Sequence, residues 1–337
     1  NTSTLGNSSF TLDTIAPSTP VAPTVIANIS SGISASEATS GFSVTTSLAG
    51  TNALAGDTIK LVINGGTTNL SATLSASDIT NGTYTFTVTN SSITANTNNT
   101  FAAQVIDAAG NAGPASSTLS LAYDTIAPAV TAVTDNTAAS VTNAPITFNV
   151  VFGEAVVGSV TTANFTATNG TVNSVTAVSS TQYTVTVTPS SNVASGTVAL
   201  SLVGTGLTDL AGNAIANASL SGLDAQSIDT VAPSAPVFAL GTGVAGGATS
   251  TEATQGSGVV TLTAESGAAV SVTFTNGANT VTKSLTGTGA SQAVTLTSAD
   301  LTTLGNGTIS VSASATDSAG NTSTLGNSSF TLDTIAP

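Results

Sequence analysis

Along most of the chain apolar and polar residues alternate one by one. Phe42-Ser-Val-Thr-Thr, Tyr84-Thr-Phe-Thr-Val, Thr100-Phe-Ala-Ala-Gln-Val-Ile and Tyr183-Thr-Val-Thr-Val-Thr are examples. A period of two, filled by β-branched and aromatic residues, predicts antiparallel strands with one face buried. Helix is disfavoured almost everywhere. In the first third of the chain the pattern predicts strands near 24–29, 41–48, 57–63, 68–74, 83–89, 100–106 and 117–123, the strand count of an immunoglobulin-type sandwich. Asn-Gly pairs at Asn81–Gly82, Asn169–Gly170, Asn276–Gly277 and Asn306–Gly307 supply positive-φ residues for hairpins or loops.

Two motifs punctuate these strands. Asp-Thr-Ile/Val-Ala-Pro stands at Asp13–Pro17, Asp124–Pro128, Asp229–Pro233 and Asp333–Pro337. Asp-x-Ala-Gly-Asn precedes the last three of these, at Asp107–Asn111, Asp209–Asn213 and Asp317–Asn321. Moreover, Asn1–Pro17 is repeated without a change as Asn321–Pro337, so the chain reads as one unit of a longer array plus an overlap into the next copy. The expected division is a final strand of a preceding module at 1–12, modules at 13–123, 124–228 and 229–332, and the next linker at 333–337. Modules one and three share Glu-Ala-Thr, at Glu37–Thr39 and Glu252–Thr254. Module two has Phe152-Gly-Glu-Ala-Val instead, so two subtypes alternate. The fold class expected is all-β: tandem immunoglobulin-like antiparallel sandwiches in a linear array.

The linked pair of motifs resembles the bacterial Ig-like repeat domains of giant biofilm-associated and type I-secreted surface adhesins, and the resemblance extends over the whole chain. It implies an extracellular, non-enzymatic stalk whose joints stiffen with calcium. Trp and Cys, hallmarks of antibody domains, are both absent.

Composition narrows the function. Two Lys+Arg against 16 Asp+Glu give a formal net charge of -14, which excludes nucleic acid and anionic membrane surfaces as partners. A hydrophobic fraction of 40% argues against disorder. Zero Cys and zero His remove disulfides, thiolate or imidazole metal sites, and the common catalytic triads. Paired carboxylates are available for glycoside cleavage, but aromatic residues are only 4% and the acids recur instead of gathering once. Lys60 and Lys283 read as solvated strand residues. No apolar run suits a membrane span, so direct membrane insertion is not expected.

The acids sort by module end. In a seven-stranded sandwich the incoming linker, the B–C loop and the F–G loop share the leading end, while the A–B loop lies at the trailing end. Asp13, Asp57 and Asp107 fall at the leading end of module one; Asp124, Glu154 and Asp209 at that of module two; Asp229, Glu265 and Asp317 at that of module three. Glu37, Asp135 and Glu252 fall in A–B loops, and Asp333 is the next linker acid. Stacking then gathers Glu37, Asp124, Glu154 and Asp209 at the first joint, and Asp135, Asp229, Glu265 and Asp317 at the second. Two like charges 4 Å apart repel by roughly 1 kcal/mol in water and about 4 kcal/mol at an effective dielectric of 20, so such clusters call for a cation. Calcium, with six to eight oxygen ligands in flexible geometry, suits them, and the carbonyls of Asn111, Asn213 and Asn321 are further candidate ligands. The same residues also suit a plain hairpin loop, since Asp opens turns and Gly permits positive φ. Neighbouring modules of the same chain are the expected partners. Other copies, meeting in a matrix filament, and a glycan or protein held on a sandwich face are the rival readings.

Overall fold

The computed structural model describes residues 12–25, 29, 31–66, 68–139 and 141–335. The expected strand at 1–12 therefore lies, but for Leu12, outside the described residues. The first sandwich contains β1 (Thr24–Val25), α1 (Ala35–Ser40), β2 (Phe42–Ser47), β3 (Thr58–Ile63), β4 (Thr68–Thr73), α2 (Ala76–Asn81), β5 (Thr83–Val88), β6 (Thr97–Ile106) and β7 (Leu119–Tyr123). It has two antiparallel sheets, β1-β2-β5 and β4-β3-β6-β7. The alternation in the sequence becomes alternation in burial: Phe42, Val44 and Thr46 point inward from β2, and Ile59, Leu61 and Ile63 from β3. Residues 26–28 of the first expected strand are outside the described residues.

The second sandwich contains β8 (Val130–Asp135), β9 (Ile146–Phe152), β10 (Phe165–Ala167), β11 (Gly170–Ala177), β12 (Gln182–Pro189), β13 (Gly196–Val198), β14 (Leu200–Leu202), β15 (Ala218–Ser219) and β16 (Gln226–Ile228). The third contains β17 (Val237–Leu240), α3 (Ser250–Ala253), β18 (Val260–Thr263), β19 (Ala269–Asn276), β20 (Asn279–Thr286), β21 (Ser291–Val294), α4 (Ser298–Leu304), β22 (Gly307–Thr316) and β23 (Gly326–Leu332). Its sheets, β17-β18-β21 and β20-β19-β22-β23, repeat the first plan. In the second sandwich the sheets are instead β11-β12-β9-β8 and the split pair β10-β14-β15 and β13-β16. The two subtypes thus differ in one strand. β4 and β20 pair with β3 and β19, whereas β11 has moved to the opposite sheet beside β12. Each sandwich closes its own core, around Phe101, Phe148 and Phe274, all fully buried.

Four short helices correct the expectation that helix is nearly absent. Each opens with a capping box: Ser34 with Glu37, Ser75 with Asp78, Thr249 with Glu252, and Thr297 with Asp300. The reciprocal hydrogen bonds satisfy N–H groups that so short a helix leaves bare. Asn81–Gly82 is accordingly the end of α2 and not a hairpin, with Gly82 in the left-handed region. Asn276–Gly277 does turn a hairpin, β19 to β20, and Asn169, at φ 49°, turns the chain from β10 to β11. Lys283 is not simply solvated, for it pairs with Asp300 across the surface of β20 and α4.

One feature places the joints. Between the first and second strands of each sandwich a residue pairs in parallel with the last strand: Ile33 with Tyr123, Thr142 with Ile228, Ala248 with Leu332. The next residue along is the linker Asp, whose N–H donates to the carbonyl of Ile33 (Asp124, 2.9 Å), Thr142 (Asp229, 3.2 Å) or Ala248 (Asp333, 2.9 Å).

Candidate functional site

The three Asp-x-Ala-Gly-Asn loops have one construction. Each Asp N–H donates to the carbonyl of its Asn, at 3.1, 3.1 and 3.0 Å for Asp107, Asp209 and Asp317. The carboxylate then closes over the loop. Asp107 accepts from the Asn111 N–H and Nδ2 at 2.7 Å each; Asp209 accepts from the Asn213 N–H and Nδ2 at 2.8 and 2.7 Å; Asp317 accepts from those of Asn321 at 2.9 and 2.8 Å. Gly110, Gly212 and Gly320 hold φ between 93° and 98°, a conformation that costs glycine nothing. The bond from the Asn111 amide holds the Asp107 carboxyl below its ordinary range; desolvation opposes it, and the main-chain N–H groups of Asn111, Ala109 and Gly110 each add a lesser lowering. In the first sandwich Asp57 braces the loop from beneath, accepting from Ala108 N–H at 3.1 Å and Leu54 N–H at 2.8 Å.

The Asn of each loop has a second task. Its Nδ2 donates to the main-chain carbonyl of the incoming linker Asp at 3.0 Å, in Asn111 to Asp13, Asn213 to Asp124 and Asn321 to Asp229. The Oδ1 atoms of two of them accept from the preceding sandwich. Asn213 takes the Ala35 N–H at 3.0 Å and Asn321 takes Asn143 Nδ2 at 2.9 Å. Asn213 and Asn321 are correspondingly buried, at 8% and 9% exposed. Their carbonyls, expected as metal ligands, are therefore engaged with the protein itself. The linker is also tied backwards: Thr125 donates through N–H and hydroxyl to Asn96 Oδ1, and Thr334 does the same to Asn306.

At the first joint Asp124, Glu154 and Asp209 each bring a carboxylate oxygen within 4.8 Å of the others. Asp209 is buried and the other two are half-buried. Like charges at that distance repel by about 3 kcal/mol at an effective dielectric of 20. Asp124 and Asp209 are partly compensated by N–H donors, from Ile126 and from Gly212 and Asn213. Burial, then the charges of Asp124 and Asp209, push the Glu154 carboxyl above its ordinary range. An all-oxygen trio of this spacing fits a hard divalent cation, whose oxygen ligands lie at 2.3–2.6 Å for calcium. A groove of about 780 Å³ runs between the sandwiches past Tyr123, Asp124, Ile126, Ala129 and Glu154.

Among the described residues no other three acids come this close. Glu37, expected beside this trio, instead caps α1, its Oε2 accepting from the Ser34 N–H and hydroxyl at 3.0 and 2.9 Å. Glu252 does the same for α3 with Thr249. At the second joint Asp229, Glu265 and Asp317 are not gathered, Glu265 being exposed. Asp135 ends β8 and binds the Thr137 N–H, while its own N–H donates to Asp224 Oδ2. Asp13 and Asp333 are exposed, each accepting from the N–H two residues on at 3.0 Å. Sequence reasoning missed Asn96, Asn143 and Asn306 as joint residues, and no local pattern marks them. The capping acids had a readable signal, Ser/Thr-x-x-Asp/Glu, though Ser221–Asp224 and Ser314–Asp317 carry the same spacing without opening a helix.

Residues 124–226 match the family model of the bacterial Ig-like domain. Among solved structures, one described as bearing on host cell surface retention of a 1.5-MDa bacterial ice-binding adhesin is 21% identical, covering 94% of this chain and 100% of that one, at a TM-score of 0.47. A tetra-tandem repeat from the extending region of a large adhesion protein is 20% identical over 94% of this chain and 74% of its own, at 0.29. InvD of Yersinia pseudotuberculosis is 17% identical over 91% and 96%, at 0.33. No curated protein sequence matches the chain.

Proposed function

We propose that this chain is a non-enzymatic spacer from the stalk of a large bacterial surface adhesin, outside the cell, whose sandwiches are held in line at their joints and stiffened by calcium at the first. The observation that carries the reading is the linker Asp124. Its N–H is bound by the sandwich behind it and its carbonyl by the sandwich ahead, while its carboxylate shares the acid trio with Glu154 and Asp209. A cation there would neutralise the trio and fix the linker acid to the leading end of the second sandwich, removing a degree of bending freedom. The bacterial Ig-like match of the second sandwich, the repeated linker motif and the absence of His and Cys support the spacer role. No helix among the described residues is long and apolar enough to cross a membrane.

Small-angle X-ray scattering with calcium and after chelation tests this. The expected result is an elongated particle whose profile broadens on chelation and is restored by calcium but not by magnesium. An unchanged profile would leave the trio as loop chemistry alone.

A further inference from the structure

The peptide that leaves the third sandwich is the same as the one that leads into the first, because Asn1–Pro17 and Asn321–Pro337 are identical. Each half of its environment is visible. Behind it, Asp333 N–H donates to Ala248 O at 2.9 Å, and Asn306 holds Thr334. Ahead of it, the Asp13 carbonyl accepts from Asn111 Nδ2 at 3.0 Å. The shared turn has one geometry, with Asp Oδ1 accepting from Ile15 N–H and from Ile335 N–H at 3.0 Å.

We infer that the trailing face of the third sandwich is a docking surface for the first sandwich of a following copy of this repeat, with the Ser250 N–H donating to Asn111 Oδ1. The first joint supplies the template. There the Ala35 N–H donates to Asn213 Oδ1, and Gly32 faces Ala211 so closely that an added Cβ would lie 3.3 Å from the alanine Cβ. Ser250 follows its cap Thr249 as Ala35 follows Ser34, and Gly247 precedes Ala248 as Gly32 precedes Ile33. Asn111 and Ala109 hold the loop positions of Asn213 and Ala211. Burial agrees: Ser34 is 3% exposed beneath the second sandwich, whereas Thr249 and Ser250 are exposed and Asn111 is only half-buried. Asp57 accepts from the Ala108 and Leu54 N–H groups of its own sandwich.

The test compares this chain with the same chain continued through residues 18–123 of the next copy. Hydrogen exchange at the Ser250 amide slows by about tenfold in the extended chain, as one hydrogen bond predicts. Ser250→Pro removes that N–H at a first helical position where proline is tolerated, after a Thr249 already extended at φ −73° and ψ 169°. The variant keeps the melting temperature of the shorter chain and broadens the spin-label distance distribution across the new joint. An unprotected Ser250 amide, or a distribution unmoved by Ser250→Pro, overturns the inference. It rests on reading the chain as a spacer, and the failures differ: a collapsed extended chain refutes the spacer, whereas an elongated one with Ser250 unprotected refutes only this contact.

Discussion

Asn213 Nδ2 lies 3.0 Å from the main-chain carbonyl of Asp124, joining the F–G loop of the second sandwich to the linker that precedes it. The pairs Asn111 with Asp13 and Asn321 with Asp229 repeat the contact at the same distance. Two sequence motifs far apart along the chain are thus two halves of one joint.

Asn213→Ala removes an amide that serves Asp209, Asp124 and Ala35 together. It leaves the buried Asp209 carboxylate short of a donor, at an expected cost of about 2–3 kcal/mol. Urea denaturation of the second sandwich should report that loss, and denaturation of the first a smaller one for Asn111→Ala, because Asn111 is only half-buried. Equal and negligible effects would show that the loops hold without their asparagines.

Ala35→Pro separates the joint from the fold. Ala35 is the first residue of α1 and follows an extended Ser34 at φ −79° and ψ 165°, so proline fits the helix while removing the N–H given to Asn213. Sandwich stability should move by less than about 0.5 kcal/mol. Distances between spin labels on the first and second sandwiches should spread. A narrow distribution in the variant would mean that this bond does not set the angle.

Calcium removal is expected to act through Glu154. If calcium fills the trio as proposed, the ion at about 100 times its dissociation constant would add about 2.7 kcal/mol to the second sandwich. Glu154→Gln should lower the affinity in isothermal titration calorimetry and remove most of that gain. Full calcium affinity in the variant would place the ion elsewhere.

Acid should weaken the third sandwich through Glu252. Main-chain and then hydroxyl donation by Thr249 holds its carboxyl below the ordinary value of 4.5. The folded-state value is the lower one, so the carboxylate stabilises the fold above pH 4.5, and the contribution disappears as pH falls through the folded value. Denaturant midpoints followed from neutral pH downward should show a shallower fall in Glu252→Gln than in the parent chain. Parallel curves would mean the capping box contributes nothing measurable.

Much of this was legible in the residues. Period-two alternation placed β2 to β5 to within a residue at each end, since each alternation is a statement about which face meets the core, but it started β6 three residues late and β7 two residues early. The two subtypes showed as different motifs, and loop order in a seven-stranded sandwich put Asp124, Glu154 and Asp209 near one another, but it put Glu37 with them and grouped Asp229, Glu265 and Asp317 in the same way. Glu37 and Glu252 were read as joint acids and not as caps because helices this short have no hydrophobic period to read, although their boxes were written in the chain.

The sequence by itself determined the alternation and the punctuation, because these depend on neighbours a few residues apart. Only the tertiary structure decided that β11 crosses to the other sheet, that three acids meet at the first joint and not at the second, and that the loop asparagines bind the linker. Those outcomes depend on angles between sandwiches and on donors from distant strands, where a shift of an ångström or two makes or breaks a hydrogen bond.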